Sequence, residues 1–257
     1  MGRYVLKRIG QALIVLLLAY TLAFFLLSAL PSDGVAARYA DPALGLSQAE
    51  IDQIREQMGV DKPLLEQYFS TLAGLFTGDL GYSVASGTPV ADLITDAAPH
   101  TFALAATSIG LAIVVALATA YVATLPGSGP LRRAVRSLPS FMVSLPGFWI
   151  AILLLQFFSF RLGWVNVVDP SPLEGLILPT LTLAVPMAAP LMQVLIRSID
   201  EVRDQPFVQV VRARGASEAR IFWRDVLRNS LLPTITMAGL LFGELVGGAV
   251  VTETVFG

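Results

Sequence analysis

The sequence predicts an all-α integral membrane protein with five visible spans and a small helical external segment between the first two. Three observations predict it. Of the 257 residues, 55% are hydrophobic and only 14% charged, against about a quarter charged in a soluble domain. The apolar residues come in long blocks, and ~20 apolar residues at a rise of about 1.5 Å per residue cover a bilayer core. The basic residues cluster in short stretches between those blocks, as the positive-inside rule requires of cytoplasmic segments.

The same composition excludes several classes. The formal net charge of −2 offers no bulk positive field for nucleic acid. There is no cysteine, which excludes disulfides and thiolate metal sites. His100 is the single histidine, so the chain alone cannot build a multi-histidine metal site. An interfacial or capping role suits His100 better.

Residues 1–30 hold a cytoplasmic start and span one. Arg3, Lys7 and Arg8 precede an apolar run over 9–30, which is too long for a signal-peptide core and lacks a small-x-small cleavage pattern. Residues 31–99 form the external segment, with ten acidic and three basic residues. Ser47 and Glu50 have capping-box spacing, and Gly59 is placed to close that helix. Asp61 is expected to cap a second helix with Pro63 in its first turn, running to about Phe76. Thr88-Pro89 opens a third, with turns at Gly78, Gly81 and Gly87. Residues 100–257 form the core. Span two covers 101–125, and a turn over 126–130 leads to Arg132, Arg133 and Arg136. Span three covers 138–160, interrupted at Pro139 and at Pro146-Gly147. Span four covers 176–196 and contains Pro179, Pro186 and Pro190. Span five covers 231–251, with Gly239, Gly243 and Gly247 at four-residue spacing, a stripe for close helix packing or for a pathway. Five spans from a cytoplasmic start place the end of the sequence outside.

Between spans four and five lies a loop of about 197–230. Its charged stretch, 207–233, carries Arg212, Arg214, Arg220, Arg224 and Arg228 among apolar residues at helical spacing. The first half predicts a short amphipathic helix stopped by Gly215. Ser217 is placed to cap a second helix running through Arg224 toward Pro233. A basic amphipathic loop in so apolar a chain reads as a cytoplasmic docking surface.

Glu244 is the one acid well inside an apolar span, which costs about 2.5–3.5 kcal/mol on insertion scales. It either lines a pathway or is satisfied by a neighbouring helix. Gln193, Met187 and Met192 on span four either line a permissive pathway or simply pack.

Ordered motifs along nearly the whole chain resemble one family. They are Leu30-Pro31-Ser32-Asp33, Phe76-Thr77-Gly78-Asp79-Leu80-Gly81-Tyr82-Ser83, Gly87-Thr88-Pro89-Val90, Ser144-Leu145-Pro146-Gly147-Phe148-Trp149 and Leu178-Pro179-Thr180-Leu181. Later in the chain come Arg212-Ala213-Arg214-Gly215-Ala216-Ser217, Leu231-Leu232-Pro233 and Gly247-Gly248-Ala249-Val250-Val251-Thr252-Glu253. The chain resembles inner-membrane permease subunits of binding-protein-dependent ABC importers, dipeptide/oligopeptide/nickel branch, first permease type. The family's cytoplasmic signature opens with Glu-Ala-Ala; Gln209, Val210 and Val211 stand there instead.

The resemblance implies a type I importer permease fold with a sixth span beyond the five visible. It implies a multi-pass protein of the bacterial cytoplasmic membrane with a cytoplasmic N-terminus. Its partners would be a second homologous permease, two ATPase subunits and an external substrate-binding protein. The sequence has no GxxxxGK[ST] phosphate loop, so the chain is expected to be no enzyme and to bind no cofactor or metal. ATP and Mg would sit on the partner ATPases. The coupling residues implied are Gln209, Val210, Arg212, Ala213, Gly215, Ala216 and Ser217. The solutes implied are di- or oligopeptides, with nickel or another small solute as the alternative; the lone histidine disfavours a dedicated metal path.

Two rivals differ in class. Gly215-Ala216-Ser217 is similar to a serine intramembrane protease motif, but Glu218 replaces its closing glycine and His100 is expected across the membrane. That arrangement makes no Ser–His pair. A self-contained channel or scaffold has no need of the Gly215 turn and its flanking helix.

Overall fold

A computed structural model describes residues 2–29, 34–39, 47–59, 61–125, 129–167 and 170–248. Residues 126–128 of the predicted turn over 126–130, the Leu30-Pro31-Ser32-Asp33 motif and the end of span five past Gly248 lie outside the described residues. The chain forms two compact units, residues 1–97 and 98–257. Among the described residues the structure is helical apart from turns and one isolated antiparallel bridge, Tyr82 to Pro89.

In the first unit, α1 (Gly2–Ser28) is span one and buries none of its apolar window. Helix α2 (Gly34–Tyr39) precedes α3 (Gln48–Met58). The capping box is present as predicted: Ser47 Oγ accepts from the Glu50 amide, and the Glu50 carboxylate accepts from the Ser47 N–H at 2.7 Å. Gly59 ends α3 at φ 66°. Asp61 does not cap α4 (Leu64–Thr77), a correction to the sequence reading. Its carboxylate pairs with Arg55 at 2.8 Å, and Pro63 alone begins the helix. A charge-assisted bond to a guanidinium outcompetes a neutral amide for that oxygen.

Within this unit, Tyr68 fastens α4 to span one. It accepts at its backbone oxygen from the Tyr20 hydroxyl at 3.0 Å, and its own hydroxyl lies 2.8 Å from that of Thr21. The Tyr68 ring also stacks on Phe25 and meets Phe24 edge-on. Gly78, Gly81 and Gly87 all take positive φ, as the turn reading expects. The Ser83 N–H donates to Thr88 O at 2.9 Å and the Val90 N–H to Gly81 O at 2.9 Å, which closes these turns into a tight knot.

Glu50 makes a testable acid–base prediction. Hydrogen bonds from the Ser47 backbone and then its hydroxyl hold the Glu50 carboxyl below its ordinary value. A depressed carboxylate stabilises the fold above the unfolded value, and that contribution fades as pH falls through the folded one. The Ser47 amide resonance should therefore titrate with an apparent pKa below that of free glutamate. In Ser47→Ala the Glu50 side-chain titration, read by carboxyl carbon shift, should move back toward the ordinary value.

In the second unit, α8 (Glu174–Arg203) is central. It packs against α6 (Pro130–Val143), α7 (Gly147–Leu154) and α11 (Leu227–Gly248), and 56% of its apolar window is buried. Pro179, Pro186 and Pro190 all lie inside this one helix. Helix α5 (Val90–Thr124) turns small residues inward at Ala105, Ser108, Ala112, Ala116, Ala120 and Ala123. Small residues let helices approach closely where lipid supplies no hydrophobic drive. The Thr107 and Thr180 hydroxyls meet at 2.8 Å and tie α5 to α8.

Three boundaries differ from the sequence reading. Thr88-Pro89 leads into α5 itself, which runs through Pro99 without a break, so the third external helix and span two are one helix. Span three does not start at 138. It is a pair of helices, α6 and the stretch Gly147–Arg161, bent by 101°. Pro139 sits within α6. The bend falls before Pro146, because the residue ahead of a proline is disfavoured in the α region. Finally, Pro233 lies inside α11. The helix capped by Ser217 begins at α10 (Glu218–Arg220), passes through a wide π-type segment (Ile221–Val226), and continues as span five.

Candidate functional site

The charged stretch after span four folds as a helix, a turn and a second helix. Gln205 is extended and Pro206 occupies the first turn of α9 (Pro206–Ala213), where its missing N–H costs nothing. The helix ends in a Schellman turn. The Gly215 N–H donates to Arg212 O at 2.9 Å and the Ala216 N–H to Val211 O at 3.4 Å. This turn needs a left-handed residue, and Gly215 has φ 83°. Ser217 then caps the next helix, its hydroxyl accepting from the Arg220 N–H at 3.4 Å. Helix, glycine stop and serine cap all stand where the sequence places them.

Helix α9 is held by one face. Val208 is fully buried, and Val211 and Ala216 pack partly against the same core, which includes Ile221, Phe222 and Val226. The other face is open. Phe207 and Val210 are 42% and 50% exposed, and Gln209, Arg212, Ala213, Gly215 and Ser217 are exposed beside them. Six of the seven predicted coupling residues are thus exposed, and Ala216 is half-buried.

Charge ties the site together. The Glu218 carboxylate accepts from Arg212 Nε at 2.7 Å and from Arg203 Nη1 at 3.1 Å. That carboxylate raises the Arg212 guanidinium above its ordinary value through its hydrogen bond and its charge. Arg136 grips Asp200 with two parallel bonds of 2.9 and 2.8 Å. Arg132 Nε and Arg136 Nε both donate to Ala123 O, capping the C-terminal end of α5. The arginines after span two therefore do more than anchor the loop on one side of the bilayer. Sequence reading missed Arg203, Asp200 and the pairing role of Glu218.

The predicted pathway residues scatter. Met192 is fully buried in the core of the second unit, which favours the packing alternative of the two the sequence leaves open. Met187 is half-buried against the same core. Gln193 is exposed and lines a cleft of about 560 Å³ with Arg136, Ser140 and Asp200. Glu244 is exposed on α11 beside Gly243 and Gly247, and a methyl added at either glycine would meet nothing within 4 Å among the described residues beyond its own chain neighbours. Gly239 and Gly243 lie along the same open face as Leu240. Among the described residues no group of His, Cys, Asp and Glu side chains is arranged to hold a metal ion.

Residues 112–257 match the family described as binding-protein-dependent transport system inner membrane component, and residues 1–105 match that system's N-terminal membrane-component family. Similar relatives include the glutathione transport system permease protein GsiC of Pectobacterium atrosepticum, 34% identical over 259 residues, covering 100% of this chain and 83% of the relative. The proteins of that name from Escherichia coli and Shigella dysenteriae are each 33% identical over 256 residues, with the same two coverages.

Proposed function

Because the chain belongs to the inner-membrane component family of binding-protein-dependent transport systems, we propose that it forms half of an ATP-driven import pathway for short peptides. It is a multi-pass protein of the inner membrane with an all-helical permease fold. The other half of the pathway is a second, homologous permease. Two ATPase subunits carry ATP and Mg, and an external binding protein delivers the solute. Glutathione, which the relatives are named for transporting, is a tripeptide, and that supports the peptide class over nickel.

One observation carries the coupling reading. Helix α9 is anchored by buried Val208 and half-buried Val211 and leaves Phe207 and Val210 exposed. An amphipathic helix presented on a rigid turn suits a groove in a partner. Closure of two ATPases would draw two such helices together and rock the spans between inward- and outward-open states. Glu244 and the glycine face of α11 then face the second permease or the solute path.

The test is co-purification from the native membrane followed by uptake in proteoliposomes. A complex with an ATPase pair, and ATP-dependent uptake of short peptides supplied on the binding protein, is the expected result. A self-sufficient homo-oligomer that conducts without ATP would overturn the proposal. Val210→Glu should release the ATPases while leaving the spans folded, since its side chain is half exposed.

A further inference from the structure

We propose that Glu218 is a positioning residue of the transport reaction, a clamp that makes the coupling helix and its two flanking membrane helices move as one lever. The proposal rests on reading α9 as the ATPase-docking helix. Three elements meet at this one carboxylate. Arg203 ends α8, Arg212 stands in the last turn of α9, and Glu218 is the first residue of the helical stretch that runs to Gly247. Arg212 donates to it from Nε at 2.7 Å and from Nη2 at 3.4 Å, and Arg203 donates from Nη1 at 3.1 Å.

The backbone links at this junction are short but not stiff. Asp204 and Gln205 join α8 to α9, and residues 214–217, with left-handed Gly215, join α9 to α10. Links of this kind are where hinge motions are absorbed as φ/ψ changes. A force applied to the exposed face of α9 would bend them unless something spans the hinges, and the Glu218 ion pairs span both. Buried Val208, with Val211 and Ala216 packed partly beside it, resists lifting of α9, but apolar contacts of this kind are non-directional and fix no angle between the helices.

Arg203 shows how much depends on this carboxylate. Its side chain is 12% exposed, and its Nε and Nη2 are buried without an acceptor. Glu218 is thus the only counter-charge its guanidinium contacts among the described residues. Neutralising Glu218 leaves a largely buried cation unpaired, which forces the end of α8 to rearrange. The carboxylate also sits in the first turn of its own helix, where the helix dipole favours negative charge.

The experiment uses the full chain and its reconstituted complex. Glu218→Gln keeps the size and one acceptor but removes the charge. Glu218→Asp keeps the charge but is too short to reach both arginines. The expected result is ATPase binding at the parent level, with transport per ATP hydrolysed reduced about fivefold or more in Glu218→Gln and by less in Glu218→Asp. A purely structural ion pair would lower yield and thermal stability without changing that ratio. Since the chain has no cysteine, spin labels at Glu201→Cys and Gln209→Cys report the α8–α9 distance in the permease itself. That distribution should broaden in Glu218→Gln. Failure of the ATPases to bind even the parent would remove the docking reading, and the label distances would still decide the clamp. An unchanged transport ratio, or a distribution as narrow as the parent's, overturns it.

Discussion

Replacing Gly215 by valine is expected to abolish ATP-driven uptake while the chain still inserts and folds its spans. Gly215 sits at φ 83°, and the two bonds that end α9 both depend on that angle. A β-branched residue held there costs about 1–3 kcal/mol, and the turn can escape that cost only by leaving the left-handed region. Doing so breaks the Schellman bonds and swings Arg212 away from Glu218. Among the described residues nothing beyond its chain neighbours lies within 4 Å of the added Cβ, so the cost is one of backbone and not of collision. Asparagine tolerates the left-handed region, and Gly215→Asn should retain most uptake. Uptake and ATPase co-purification of the two variants, side by side, separate the possibilities. Parent-level uptake in Gly215→Val would show that the turn geometry is dispensable. Loss in both variants, with spans intact, would mean that a docked partner fills the space over Gly215.

Features governed by a few neighbouring residues were legible in the sequence. The capping box of Ser47 and Glu50, the glycine turns at 59, 78, 81, 87 and 215, and the Ser217 cap are each fixed within four residues by φ or by one hydrogen bond. Prolines misled. Pro99 and Pro233 were read as boundaries but lie inside long helices. A proline removes one helical donor, and in an apolar span the alternative of an open backbone facing lipid is worse. The bend before Pro146 shows the opposite outcome, where an extended Pro146 begins a new helix.

The site's charge network was invisible for a different reason. Arg212 and Glu218 are six residues apart and Arg203 and Glu218 fifteen apart, so no helical period links them; the Gly215 turn brings them together. Asp61 shows the same limitation on a smaller scale. Its spacing suited a cap, but Arg55, six residues back and across the Gly59 turn, took the carboxylate. For Met192 the sequence leaves packing and pathway open, because helical spacing alone does not say which side of a span meets the core; its burial favours packing.

Phe222→Ala is expected to be the most destabilising single substitution in the coupling region, at about 3–5 kcal/mol. Phe222 is fully buried. Its ring meets Tyr121 edge-on at 4.8 Å and Trp223 edge-on at 5.0 Å, and each such pair adds about 0.5–1.5 kcal/mol beyond area burial. Within a lipid-facing helix the transfer part of this cost would shrink, since lipid is as apolar as the core. Phe222 should escape that discount, because Arg220 and Arg224 flank it in sequence and charged side chains favour the aqueous end of a span. Water is therefore its reference, and the full cavity cost applies. The loss should appear as a lower Tm in detergent and as faster proteolysis around α9, whose Val208 belongs to the same buried cluster. Phe222→Leu, which keeps most of the volume, should lose much less. The contrast with Glu218→Gln is diagnostic: one removes the floor beneath the coupling helix, the other the link that gives its motion direction. A Phe222→Ala protein with an unchanged Tm would mean that the aromatic cluster with Tyr121 and Trp223 does not hold α9 in place.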